Sequence, residues 1–84
     1  MDIAKGVVYI IKSIKDKKHY IGHTTNLKER LSDHNLGYNK STKHRSEFNI
    51  VYFENTPTLA DAVRKEKRIK NLGVKRFLGR VGLN

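Results

Sequence analysis

Tyr9, in the run Val7-Val8-Tyr9-Ile10, and Tyr20, in Tyr20-Ile21-Gly22, stand eleven positions apart, and a segment carrying Arg30 and His34 follows at once. Hydrolysis of a phosphodiester calls for groups of this kind: a proton acceptor for water, cations to meet the charge growing on the phosphoryl oxygens, and help for the departing oxyanion. Two phenols, a guanidinium, an imidazole and a glutamate farther along, Glu66, could supply all of them. An unperturbed phenol has a pKa of about 10 and is a poor base at neutral pH. Arg30, nearby lysines or a metal on Glu66 would lower it if their elements converge. The plainer account of each tyrosine is packing material in a strand with a wet tip.

The elements that must position these residues follow from periodicity. Val7 to Ile14 is almost continuously apolar and β-branched, as in a strand covered on both faces. Lys15-Asp16-Lys17-Lys18 interrupts it with charge and His19 to Thr24 resumes an extended pattern, which together read as a hairpin. Asn26 is the expected N-cap of a helix running to about Asn35, with Glu29 placed to close a capping box and Gly37 as the stop. Leu36 to Arg45 is a polar, basic loop, and Phe48 to Phe53 is the third strand. Thr56-Pro57-Thr58 ends that strand and opens a second helix, with Thr58 and Asp61 approximating a capping box and Asn71-Leu72-Gly73 as its stop. Val74 to Val81 is a short amphipathic segment with Phe77, Leu78 and Val81 on one side. The expected fold is α+β, a three-stranded, mainly antiparallel sheet flanked by helices in the order β-β-α-β-α-α, forming a single domain over residues 1–84.

Helical spacing of about 100° per residue puts Leu27, Arg30, Leu31 and His34 on one face of the first helix. Arg30 can lay its stem on the core and keep its head in water, with His34 at the edge of the stripe. In the second helix Leu59, Ala62, Val63 and Ile69 define an apolar stripe with Glu66 in its middle. A carboxylate facing a core needs a compensating partner. Lys70, one turn on, offers an i,i+4 pair, and a hard divalent cation is the other candidate. The remaining carboxylates form no cluster, so a two-metal site is not expected. His19 and His23 lack the further ligands of a zinc site and read as strand-surface residues.

With 18 Lys and Arg against 8 Asp and Glu, the formal charge of +10 matches a polyanion, most simply nucleic acid. No apolar run approaches membrane-spanning length, and Met1-Asp2-Ile3-Ala4-Lys5 has no apolar signal core, so anionic membrane is the weaker match. The chain has no cysteine, which excludes disulfides and thiolate zinc sites and is compatible with the cytoplasm.

Taken in order, these residues resemble the GIY-YIG nuclease superfamily, in particular small stand-alone bacterial members related to the nuclease domain of the nucleotide excision repair incision subunit. Val7-Val8-Tyr9 stands where Gly-Ile-Tyr is usual, and Tyr20-Ile21-Gly22 matches the second motif. The likeness continues through Gly22-His23-Thr24-Thr25-Asn26-Leu27 to Arg30 and His34, and on through Ala62-Val63-Arg64-Lys65-Glu66 to Ile69-Lys70. It implies metal-dependent cleavage of DNA with Glu66 holding Mg²⁺ or Mn²⁺. Tyr9 or Tyr20 would orient or deprotonate water, Arg30 would stabilise phosphoryl charge, and His34 would move a proton or hold phosphate. DNA-contacting residues are expected at His23, Asn26, Lys40, Lys43, Arg45, Arg64 and Lys70, suited to phosphate rather than to base readout. Two positions depart from the family pattern: His23 replaces a lysine of the repair enzymes, and Leu78 and Val81 occupy the window of a family asparagine, with Asn84 only at the terminus. A binding module without turnover, and a nuclease domain that needs a partner protein, are the competing readings.

Overall fold

The computed structural model describes residues 5–35 and 47–83. Strands β1 (Gly6–Ser13) and β2 (His19–Thr24), helix α1 (Leu27–Asn35), strand β3 (Phe48–Thr56) and helices α2 (Leu59–Leu72) and α3 (Val74–Arg80) follow in the expected order. All strand pairs are antiparallel, in the spatial order β2-β1-β3. The central place of β1 explains its unbroken apolar run, because both of its faces are covered. On one face Val8 and Ile10 pack with Ile69 of α2 and with Phe77 and Leu78 of α3. On the other, Tyr9 and Ile11 pack with Phe48, and Leu27 and Leu31 of α1 lie against them. Burial of these side chains is the main stabilising contribution, about 1.5–3 kcal/mol for each large aliphatic group.

Local chemistry sets the element ends. The charged turn between β1 and β2 closes with Lys17 at φ 64° and with the Lys18 N–H donating to Asp16 Oδ1 at 3.0 Å. Asn26 caps α1 as expected, its Oδ1 accepting from the Glu29 N–H at 3.1 Å. The reciprocal bond comes from a residue other than Glu29: the Asn26 N–H donates to Thr24 Oγ1 at 3.1 Å. Thr58 caps α2 by accepting from the Asp61 N–H at 3.1 Å, and Gly73 ends it at φ 102°. At Gly6 a side chain would meet Ala62 Cβ, the Leu59 backbone and Thr56 Oγ1, each at 2.8 Å, so a bare backbone is what lets α2 begin directly against β1.

Three expectations shift. β3 extends to Thr56 because its ladder with β1 continues to the Gly6–Thr56 pair, and a bulge opposite Ile10 and Ile11 places Val51 and Tyr52 together on the α2–α3 core. Val63 is 42% exposed, since it lies about 100° around the helix from Ala62, which carries the contact with the sheet. Val81 is 44% exposed because α3 ends at Arg80 and the chain turns away through Gly82 at φ 82°.

Ile10→Ala is therefore expected to cost about 2–5 kcal/mol in urea unfolding, whereas Val63→Ala should stay within about 0.5 kcal/mol of the parent. Equal losses for the two would contradict this placement of the core.

Candidate active site

Successive residues of a strand face opposite ways, so Tyr9 and its neighbour Val8 serve different layers. Val8 is paired with His23 and Tyr9 with Gly22, which puts His23 on the α2 side of the edge strand and the Tyr9 phenol on the α1 side. The phenol lies directly across Gly22: a Cβ there would come 2.5 Å from Tyr9 Oη and 2.8 Å from Cζ. Glycine at this position is thus required by close approach of a buried ring.

On the α2 side, Glu66 is only 14% exposed and both its oxygens are engaged. His23 Nδ1 lies 2.8 Å from Oε1 and Lys70 Nζ lies 2.8 Å from Oε2. An ionised carboxylate only accepts, so Nδ1 carries the proton in this pair. Burial works to raise the Glu66 pKa, but the hydrogen bonds and charges of Lys70 and His23 outweigh it and hold the carboxyl below its ordinary value. Glu66 is accordingly ionised at neutral pH.

Tyr9 couples the two sides. Burial raises its pKa, Arg30 works to lower it, and the Glu66 charge raises it further, with an upward net result. This reverses the direction expected from neighbouring cations: desolvation of the phenolate exceeds the attraction of Arg30. Tyr9 is thus within electrostatic reach of both Arg30 and Glu66. Arg30 is half-buried and, with Thr24, Thr25, Asn26 and Glu29, lines a cleft of about 160 Å³.

The remaining expected residues distribute unevenly. Tyr20 lies on the Tyr9 face one alternation along, paired with Ile11 and meeting the Phe48 ring edge-on at 5.6 Å. His34 falls near the end of α1, its side chain outside the described part, and Lys40, Lys43 and Arg45 lie outside the described residues. Arg64 is paired with Asp61, and Lys70 is drawn into the Glu66 pair. Asn26 spends its side-chain oxygen on the α1 cap. His23 proves to be more than a strand-surface residue, since it clamps Glu66. The signal that could have revealed this is its alternation with Ile21, which packs on the α2–α3 core and so fixes the face that His23 shares. Among the described residues no group of three or more His, Cys, Asp or Glu could hold a metal.

Comparison with known proteins identifies the family of the chain. Residues 5–77 match the family model described as the GIY-YIG catalytic domain. A UPF0213 protein of Staphylococcus haemolyticus is 42% identical over 69 residues, covering 81% of this chain and 83% of the relative. A UPF0213 protein of Halobacterium salinarum is 35% identical over 66 residues, covering 77% of this chain and 84% of the relative. The solution NMR structure of a UPF0213 protein from Bacillus halodurans superposes with a TM-score of 0.57 at 31% identity, covering 95% of this chain and 85% of the other.

Two tests follow. Gly22→Ala should displace the Tyr9 ring and cost about 1–3 kcal/mol of stability by overpacking, measured by thermal or urea unfolding; an unchanged midpoint would show that the ring is free to yield. Because the folded Glu66 pKa is depressed, its contribution is present above the ordinary carboxylate pKa and lost as pH falls through the folded value. The stability difference between the parent and Glu66→Gln should accordingly be largest near neutrality and shrink in acid, whereas a difference independent of pH would refute the ion-pair account.

Proposed function

Since the chain belongs to the GIY-YIG catalytic-domain family, we propose that it is a metal-dependent endonuclease that cuts DNA phosphodiesters with low or structure-based selectivity, as DNA repair or recombination requires. The observation that carries this reading is a mostly buried Glu66 carboxylate held at the edge strand by His23 and Lys70, together with the Tyr9 phenol seated across Gly22 and the cleft lined by Arg30. The formal charge of +10 supplies the attraction to a polyanion. Among the described residues no helix is long and apolar enough to cross a membrane. A cysteine-free chain that binds nucleic acid fits the cytoplasm, where no disulfide is needed.

The donor set suits one Mg²⁺ or Mn²⁺. Glu66 is an ionised, partly buried oxygen donor, and hard dications of this kind take one or two carboxylates and fill their remaining positions with water and phosphate oxygens. Glu66 would hold the ion, exchanging its pair with Lys70, which is 55% exposed and able to swing away. When bound, such an ion stabilises charge on the phosphoryl oxygens and lowers the pKa of bound water.

The protein groups divide the rest of the work. Arg30, lining its cleft at the start of α1, meets the growing phosphoryl charge. Tyr9 orients the attacking water and takes its proton. The phenolate this requires is favoured by Arg30 and opposed by burial and by Glu66, so compensation of the Glu66 charge by a cation removes one of the two obstacles. His23 is a positioning residue that fixes the Glu66 carboxylate from β2.

A second reading rests on the same carboxylate. With both oxygens satisfied by His23 and Lys70, Glu66 could be purely a fastener of α2 to β2 in a nucleic-acid-binding module without turnover. Cleavage of single-stranded, nicked and branched DNA with Mg²⁺ or Mn²⁺ separates the two readings. The nuclease should lose activity by about 10²–10³-fold in Arg30→Ala and about 10²–10⁴-fold in Tyr9→Phe, with Glu66→Ala inactive. Salt-sensitive binding with no cleavage of any substrate would establish the binding module instead.

A further inference from the structure

The α2 side of the sheet carries a second concentration of polar chemistry, away from Glu66. At the β1–β2 turn, Lys17, Lys18 and His19 face the reversal from α2 into α3, with Lys75 and Arg76, across an open cleft of about 600 Å³. A smaller hollow of about 220 Å³ adjoins it, lined by Lys12, His19, Lys75 and Leu78. Five Lys and Arg side chains from one strand, a turn and a helix thus surround His19, and Asp16 is the one carboxylate in the lining. One oxygen of that carboxylate is already used by the Lys18 backbone N–H.

Among the described residues, none of these five cations forms an ion pair, whereas Arg64, Lys65 and Lys70 of α2 each do. Gathering like charges around a hollow opposes folding, and a multivalent anion in the hollow would relieve it. His19 reports the same field: burial lowers its pKa first, and the Lys12 and Lys75 ammoniums lower it further. The imidazole is therefore neutral at pH 7 and keeps one N–H to donate beside the ammoniums.

His19, Ile21 and His23 lie on one face of the edge strand, so this cleft and the Glu66 pair share a surface. Four residues of strand separate the two histidines by about 13 Å, a distance equivalent to roughly four nucleotides of rise along a duplex. We propose that the cleft around His19 is a second phosphate site, which holds a backbone phosphate of the same nucleic-acid strand that lies at Glu66, several nucleotides from the scissile bond. It rests on the nuclease reading only for the identity of that strand; the anion site stands on its own geometry. Its role is to fix register: one phosphate is held where nothing reacts while another is presented to Arg30 and Tyr9.

The test follows the His19 ring by NMR in the 84-residue chain, without divalent metal so that no substrate is cut. Three probes are used: inorganic phosphate, a trinucleotide too short to bridge the two sites, and a single DNA strand long enough to span both. The long strand should raise the His19 pKa toward or above its ordinary value, while the trinucleotide should leave it near the free value. A Lys12→Gln, Lys75→Gln double variant should lose the response, weaken long-strand binding about tenfold, and lower the salt slope by about 2. Its binding of the trinucleotide should match the parent's. An unmoved His19 resonance together with parental long-strand affinity in the double variant would overturn the proposal. So would an equal rise with inorganic phosphate combined with an unchanged salt slope, which would make the cleft a site for free phosphate. A His19 response in a chain that cleaves nothing would keep this site and reject the nuclease reading, so the two failures are distinguishable.

Discussion

Everything in the site depends on how one negative charge is kept at a helix–strand interface. Glu66 lies between Ala62 and Ile69, both buried, where an uncompensated carboxylate would oppose docking of α2 on the sheet. His23 reaches it from β2 and Lys70 from the next turn of its own helix, so the interface closes around an ion pair instead of excluding one. Three consecutive positions of β2 then answer to three different neighbours. Ile21 must be apolar because it packs on the α2–α3 core, Gly22 must be bare because Tyr9 lies across it, and His23 must be polar because Glu66 is there.

This arrangement explains why the site lies at a sheet edge. Tyr9 and Glu66 belong to opposite layers, and in the middle of a sheet those layers are separated by backbone. At β2, the outer strand, His23 holds Glu66 on one face while Gly22, bare on the other, leaves room for the Tyr9 phenol. Tyr52 makes the contrast: it lies on β3 on the α2–α3 side, donates to Glu54 Oε1 at 2.6 Å, and has its pKa raised to about 12 by burial and that bond. A phenol so committed is fixed as a donor. At Tyr9, burial and the Glu66 charge raise the pKa while the Arg30 charge works to lower it.

Much of this was legible in the sequence because it is local or periodic. The caps at Asn26 and Thr58, the stop at Gly73 and the doubly covered β1 all follow from residues within a few positions of one another. Glu66 stood out as polarity inside a stripe, and Lys70 was recognisable as its partner at i,i+4. Alternation with Ile21 gives the face that His23 occupies but not its partner there, since no periodicity links residues 43 positions apart. The direction of the Tyr9 shift was not legible either, since it turns on how much water the fold removes from the ring. Val63 and Val81 were misplaced for a simpler reason: a stripe drawn from residue types cannot tell where a helix actually touches its sheet or where it ends.

The missing family asparagine has a structural counterpart in α3. Leu78, inside the window where that amide would be expected, is 4% exposed and packs with Val8, Ile10 and Ile69, while Phe77 beside it meets the Tyr52 ring edge-on at 4.9 Å. An amide in place of Leu78 would be buried among aliphatic groups and would require partners that none of those side chains offers. Val81 is exposed, beyond the end of the helix. In this chain α3 therefore closes the core on the face opposite Tyr9. On the α2 side the group placed against the Glu66 carboxylate from the sheet is the imidazole of His23.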